Sequence, residues 1–135
     1  MRAPSFFRLT LPLAGLNFVN QASRTLIATV GPLLAVEFAL SASELGLLAA
    51  MFFATYGAAQ LPVGLAIDLW GARRVQTVLA LVAAAGFAVC AAADGAFMLA
   101  VGRVVTGLGI SAGLIAMLNV NTQWYPPDRV AGLTG

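Results

Sequence analysis

Long apolar stretches alternate with short polar segments along the whole chain. A helix that crosses the hydrocarbon core of a bilayer needs about 20 mostly apolar residues, and four stretches meet that requirement. We therefore predict an all-α membrane protein with four transmembrane helices and the start of a fifth. The four predicted helices cover about residues 11–36, 45–67, 75–93 and 97–122, and the fifth is approached by residues 130–135.

The polar segments between these stretches carry signals that start or end helices. Ser41 and Glu44 have the spacing of a capping box, in which each side chain bonds a free backbone N–H at a helix start. Asp94-Gly95 is typical of a tight turn. Tyr125-Pro-Pro is expected to end the fourth helix, because proline cannot extend it.

Composition agrees with a membrane protein and narrows the possible functions. Hydrophobic residues make up 61% of the chain and charged residues 9%, whereas soluble domains carry about 25% charged residues. The net charge of +2 is too small and dispersed to indicate nucleic-acid binding. The single Cys90 is interpreted as a buried structural residue without metal-ligand spacing. We see no cofactor site and no nucleophile–base pair, and expect no enzyme activity.

The arginines outside the predicted helices indicate the orientation of the chain. They precede the first helix or follow the second and fourth: Arg2, Arg8, Arg73, Arg74 and Arg129. The loops on the opposite side, around Ser41 and Asp94, contain neither Arg nor Lys. Because short cytoplasmic loops carry the excess of basic residues, a cytoplasmic N-terminus is predicted.

The first helix carries a polar face at membrane depth. Asn17, Asn20, Gln21 and Arg24 follow an i, i+3, i+4, i+7 pattern, and therefore share one side of a helix. A charge within the bilayer costs about 2.5–3.5 kcal/mol on insertion scales, so Arg24 is a candidate functional residue. We interpret the face as the lining of a water-filled cavity that binds substrate. The alternative is a structural contact between Arg24 and a carboxylate or a backbone carbonyl.

Polar residues also recur along one face of the second helix. Tyr56, Gln60, Gly64 and Asp68 are spaced four residues apart. Tyr56 and Gln60 either contact substrate or form hydrogen bonds across a helix interface.

The fourth helix combines one arginine with small residues. Arg103 begins an R-x-x-x-G-x-G string and is predicted to lie in the outer half of the membrane. A structural pair, extension toward the outer interface and a transport role all remain open for it. The small residues permit close helix packing, which is the interpretation we prefer, and they are Gly102, Thr106, Gly109 and Gly113.

The loop after the second helix is the most specific motif in the chain. It reads Gly64-Leu-Ala-Ile-Asp68-Leu-Trp-Gly71-Ala-Arg73-Arg74. This G-x-x-x-D-x-x-G-x-R-R pattern resembles the loop between the second and third helices of the major facilitator superfamily. The resemblance covers essentially the whole chain and includes the string that starts at Arg103. It implies that residues 1–135 are a partial N-terminal domain, and that the other half of the transporter lies beyond them.

The same resemblance assigns roles to the loop and to Arg103. In that family the loop Asp and its glycine face a helix of the second half and act as a conformational latch. Gly64, Asp68, Gly71, Arg73 and Arg74 would carry this role here, although Leu69 and Ala72 depart from the family's usual residues. The family's arginine on the fourth helix is associated with charge pairing or proton coupling, which makes Arg103 the matching candidate.

A narrower resemblance concerns the substrate. Arg24, followed by Pro32, resembles the first helix of the organic-anion and organophosphate branch, where the matching Arg contacts an anionic substrate. The donor fork of arginine suits carboxylate or phosphate. The chain is therefore interpreted as an incomplete portion of a symporter or antiporter in a bacterial inner membrane, moving a small solute, with a preference for an organic anion.

Two other functions remain open from the sequence. A small four-helix multidrug transporter working as a dimer has a similar length, but that family depends on a carboxylate in the first helix, where Arg24 stands instead. A non-transporting membrane interaction protein, a relic of a transporter, is the other alternative.

Overall fold

The computed structural model describes residues 6–113 and residue 115, and those residues form helices without any strand. Residues 112, 113 and 115 are helical beyond the last of four α-helices. The helices are α1 (Phe6–Glu37), α2 (Ala42–Trp70), α3 (Ala72–Ala91) and α4 (Ala96–Ile110). The all-α prediction thus agrees with this part of the chain.

The helices differ in extent from the predicted spans. α1 begins at Phe6, five residues before the expected start, and α2 extends three residues beyond each end of its predicted span. Hydropathy detects only the segment that suits hydrocarbon, whereas a helix continues while its backbone bonds are made. Two of the described helices, α2 and α3, are long and apolar enough to cross a bilayer. Residues 116–122, the Tyr125-Pro-Pro stop and the expected fifth helix lie outside the described residues.

The predicted capping box at the start of α2 is confirmed in atomic detail, and a glycine turn ends the same helix. At the start of α2, the backbone N–H of Ser41 donates to Glu44 Oε2 at 2.7 Å, and the N–H of Glu44 donates to Ser41 Oγ at 3.2 Å. At the end of α2, Gly71 adopts a φ of +85°, an angle that residues other than glycine rarely adopt. Its N–H donates to Ile67 O at 2.9 Å, and α3 begins at the next residue. Gly71 therefore permits the abrupt reversal between α2 and α3.

Small residues bring α3 and α4 together backbone against backbone. A Cβ placed on Gly86 would lie 2.5 Å from Thr106 Oγ1, and one on Gly102 would overlap Cys90. A Cβ on Gly109 would overlap the backbone of Ala83. The packing interpretation of the small-residue stripe is confirmed, because side chains at these positions would prevent the observed approach.

The inner face of α2 supplies most of the remaining core. Its buried residues recur at helical spacing: Leu48, Phe52, Tyr56, Ala59, Val63 and Ile67. Large apolar side chains cover the outside, including Leu61, Val36 and Phe97, each more than four-fifths exposed. An exterior of this kind suits lipid, since soluble proteins rarely expose broad apolar patches.

Candidate functional site

The polar face of α1 turns partly toward the other helices. Asn20 is only 2% exposed, Asn17 and Arg24 are half-buried, and Gln21 is exposed. Arg24 Nη1 donates to Gln21 Oε1 at 3.3 Å, one turn back along α1. The four residues therefore share a helix face, but they occupy different depths, with Asn20 inside and Gln21 at the edge.

An aromatic cluster on α2 receives the guanidinium of Arg24. The cluster consists of Phe52, Phe53 and Tyr56, with the Phe52 and Tyr56 rings stacked at 6.3 Å. Arg24 Cζ lies 4.7 Å from the Tyr56 ring centroid and 5.9 Å from that of Phe53. A ring face attracts a cation but does not neutralise it. Arg24 Nε is buried without a hydrogen-bond partner, so the group retains both charge and donor capacity.

Arg103 approaches the same cluster from α4. Its side chain is 2% exposed, and its Cζ lies 4.2 Å from the Phe52 ring centroid. Nη1 and Nη2 both donate to the backbone carbonyl of Ser23 at 3.4 Å, while Nε has no partner. The side chain therefore packs inside the helix bundle, not along the outer surface. Ser23 immediately precedes Arg24, so Arg103 holds α1 beside the candidate anion-binding residue.

A second polar feature lies between α1, α3 and α4. A cavity of about 180 Å³ is lined by Asn20, Gln76 and apolar or small residues, and Gly113 packs against the Asn20 amide. Asn20 Oδ1 and Gln76 Oε1 are buried without hydrogen-bond partners. Buried acceptors are normally satisfied by protein, water or ligand. The cavity therefore presents two free acceptors to a donor group.

Polar residues on α2 mainly link helices. Gln60 Nε2 donates to Tyr56 O at 3.3 Å and to Ser111 O at 3.4 Å, which joins α2 to the residue that follows α4. Tyr56 is buried and stacks on Phe52. For Gln60, one of the two alternatives, a hydrogen bond across a helix interface, is present. Tyr56 also contacts Arg24, so it belongs to the candidate site as well.

The loop residues lie apart from this polar region. Asp68, Arg73 and Arg74 are exposed at the α2–α3 turn, and Gly64 is half-buried one turn before Asp68. Gly71 makes the turn itself. This placement leaves the three charged groups accessible to another surface.

Several site residues had no individual signal in the sequence. Gln76, Ser23 and Phe52 acquire their roles only through helix packing: a free amide in a cavity, a carbonyl acceptor and a ring beneath Arg103. Ser23 lies in a polar stretch directly before Arg24, and Gln76 lies two positions after Arg74 near the start of α3, so neither stood out from its polar neighbours. Among the described residues, no group of three or more His, Cys, Asp or Glu side chains is arranged to hold a metal ion.

Comparison with known proteins places these features in a family. A profile of the Major Facilitator Superfamily matches residues 13–135. The chain is 28% identical over 117 residues to the uncharacterized transporter YybO of Bacillus subtilis, covering 87% of this chain and 27% of that protein. No solved structure gives a significant match.

Two further relatives have substrates in their names. The probable sulfoacetate transporter SauU of Cupriavidus necator is 29% identical over 109 residues, covering 81% of this chain and 25% of that protein. The hexuronate transporter of Bacillus subtilis is 29% identical over 130 residues, covering 94% and 30% respectively. The chain thus spans less than a third of each relative.

Proposed function

The chain belongs to the Major Facilitator Superfamily, and on that premise we propose that it is part of a secondary transporter for a small organic anion. Solute would cross the membrane by alternating access, with Arg24 as the principal anion-binding residue. The bilayer and the second half of the transporter are the other required partners. No covalent chemistry is involved in such a cycle.

The observation that carries this proposal is the unneutralised guanidinium of Arg24. Its ring contacts leave the charge uncompensated and its Nε has no partner. The carboxylates of the described chain lie at helix ends or between helices, at Glu37, Glu44, Asp68 and Asp94. A cation retained at membrane depth without a protein counter-ion is costly, and an anionic solute would compensate it.

The remaining polar groups support a site around Arg24. Asn20 offers a buried acceptor, which suits a hydroxyl donor of the solute and not its anionic group, and Asn17 and Gln21 extend the same helix face toward more exposed surroundings. Tyr56 provides the ring that orients the guanidinium, and Gln60 holds α2 near α4. Arginine offers a planar pair of donors that matches carboxylate or sulfonate oxygens. Sulfoacetate and hexuronate, named for two relatives, carry such groups.

Arg103 and the loop would serve the conformational cycle. Arg103 positions α1 through Ser23 and is the candidate for charge pairing or coupling. Gly64, Asp68, Gly71, Arg73 and Arg74 would form a latch against the second half. Asp68→Asn should slow transport more than it weakens binding, because it shifts an equilibrium between states. Equal losses of binding and transport in folded protein would count against the latch.

We further propose a multi-pass location in the bacterial inner membrane with a cytoplasmic N-terminus. The arginine-bearing loop at Arg73 and Arg74 would then face the cytoplasm, and Ser43 and Gly95 would face outward. Cysteine labelling from outside, in a Cys90→Ala background, should modify positions 43 and 95. Outside labelling at position 72 would reverse this orientation.

The decisive experiment compares Arg24→Ala and Arg24→Lys in the full-length transporter. The measurement is thermal stabilisation of purified protein by anionic solutes, with neutral solutes of similar size as controls. Losing one partner of a charged contact costs up to about 2–5 kcal/mol when the other partner stays unpaired. Arg24→Ala should therefore abolish anion-induced stabilisation, and Arg24→Lys should reduce it because the planar fork is lost. Wild-type binding by Arg24→Ala would assign Arg24 a structural role.

A further inference from the structure

An elongated apolar groove runs along the outside of α2 and α3, away from the polar residues of α1. It has a volume of about 430 Å³ and is lined by residues of α2, α3 and α4. Pro62 and Ala66 form one wall, Val78 the other, and Leu108 contributes from α4. No residue of α1 is among its lining residues, so the groove is distinct from the region around Arg24.

The two ends of the groove differ in chemistry. Trp70 and Arg74 line the end beside the α2–α3 turn, whereas the other lining residues are aliphatic. Trp70 and Pro62 are eight residues apart on α2, which corresponds to about 12 Å along the helix axis. That length is close to the depth of one leaflet, half of a hydrocarbon core of about 30 Å. An apolar groove with a cation at one end matches an amphipathic ligand.

The chemistry of the lining favours a ligand from the bilayer. Trp70 is 66% exposed and Val78 is 59% exposed, so no described helix covers this part of the groove. A hydroxylated or multiply charged solute would leave its polar groups unsatisfied against aliphatic walls. Tryptophan prefers the headgroup level of membranes, where its ring is apolar and its N–H meets polar groups. Both features favour a lipid over a transported solute.

We propose that this groove binds an anionic phospholipid, with the phosphodiester at Arg74 and one acyl chain between Pro62 and Val78 over Leu108. Arg73 adds a second positive charge at the same turn, and exposed Asp68 opposes it with one negative charge. The turn therefore carries a net positive charge, which favours phosphatidylglycerol over zwitterionic phosphatidylcholine. The binding site does not depend on which solute the transporter carries, but it shares Arg74 with the proposed latch.

The first experiment identifies the occupant by crosslinking. The full-length transporter, with Val78 replaced by p-benzoylphenylalanine, is placed in nanodiscs containing equal amounts of phosphatidylglycerol and phosphatidylcholine. Leu81 is the control position, because it is exposed on the same helix but does not line the groove. Photolysis should give a phosphatidylglycerol adduct enriched at position 78 relative to position 81. A crosslink to another part of the protein, or equal lipid labelling at both positions, would overturn the proposal.

The second experiment tests the headgroup contact with neighbouring arginines. Arg74 lines the groove and Arg73 does not, although both are exposed at the same turn. Arg74→Gln should lower the yield of the phosphatidylglycerol adduct by about fivefold, the effect of one basic residue at a membrane surface. Arg73→Gln should change the yield less than twofold. Equal losses of adduct in the two variants would show a general attraction to the membrane surface and would contradict a specific headgroup contact at Arg74.

Discussion

The α3–α4 pair is packed backbone against backbone, whereas α1 reaches its neighbours through side chains. Added Cβ atoms on Gly86, Gly102 and Gly109 would collide with the facing helix. On α1, an added Cβ at Gly15 would meet nothing within 4 Å, and one at Gly31 would meet only Leu45 at 3.8 Å. The polar attachments of α1 are instead arginine–ring and arginine–carbonyl contacts.

This difference separates a scaffold from a helix that is able to shift. Backbone packing is lost abruptly when a helix moves, because packed interfaces are not continuously deformable. A guanidinium over a ring keeps part of its attraction over a range of positions, and its free donors can bind an anion while the ring contact is kept. We therefore expect α3 and α4 to move together, and α1 to respond when solute binds Arg24.

The largest expected effect comes from a substitution that forces α3 and α4 apart. Gly109→Val places a branched side chain where even a Cβ overlaps Ala83. Overpacking costs about 1–3 kcal/mol and sometimes more, so this variant should unfold at a clearly lower temperature and give a lower yield. The measurement is the thermal unfolding and yield of monodisperse full-length transporter in detergent.

Gly57→Val is the matched control for this change. A Cβ on Gly57 meets nothing within 4 Å, and the residue is exposed on α2. The two substitutions alter intrinsic helix propensity alike, so their difference isolates packing against α3. Equal unfolding temperatures for both variants would contradict the scaffold role of the α3–α4 interface.

A smaller effect is expected when α1 is released from α4. Arg103→Met removes the bonds to Ser23 O but retains a long apolar side chain over Phe52. Removing the buried guanidinium also removes its desolvation cost, which offsets part of the free energy lost with the hydrogen bonds. The unfolding temperature should therefore change little. Anion affinity should fall about tenfold, or 1.4 kcal/mol, because the segment bearing Arg24 is no longer positioned. The measurement is calorimetric titration with an anionic solute.

Two results would change the role assigned to Arg103. Unchanged affinity in Arg103→Met would remove Arg103 from the positioning of α1. A large loss of stability with retained affinity would instead place Arg103 in the scaffold. Arg103→Lys keeps a charged donor without the planar fork and should fall between wild type and Arg103→Met.

The smallest expected effect concerns the ring beneath Arg24. Tyr56→Leu removes the face that lies 4.7 Å from Arg24 Cζ. A partly exposed cation–ring contact is worth about 0.5–1 kcal/mol, so anion affinity should fall about two- to fivefold. Phe53→Leu should have a smaller effect, because that ring lies 5.9 Å away.

Tyr56→Phe separates the ring from the hydroxyl. It should bind anion as wild type does, in the same thermal-stabilisation assay used for Arg24. A loss as large as that of Tyr56→Leu would mean that the hydroxyl contacts solute, and would make Tyr56 a direct ligand.

Features confined to one segment were accessible from the sequence. The capping box at Ser41 and Glu44, the turn at Gly71 and the small-residue stripe of α4 each depend on local chemistry or helical spacing, and each is present. The described helix ends lie within three residues of the apolar stretches, except for the start of α1, and the predicted end of the fourth helix lies outside the described residues. These features follow from backbone bonding and periodicity, which neighbouring residues determine.

Family membership was also legible in the sequence, because the loop from Gly64 to Arg74 and the string at Arg103 keep fixed spacings along one segment. A polar face containing Arg24 was predictable in the same way. The sequence did not show which residues of that face point into the bundle, because periodicity identifies the residues that share a face but not the helix that the face meets.

Tertiary structure alone decided which groups meet. The Ser23 acceptor is a backbone carbonyl, which every residue possesses, so no sequence pattern singles it out. Phe52 lies beneath Arg103, and Gln76 joins Asn20 in one cavity, only because four helices pack at particular rotations. The sequence determined the helices, the loop motif and the presence of one arginine within α1 and another within α4. Packing determined their partners, because contact between distant residues depends on the summed geometry of all the helices.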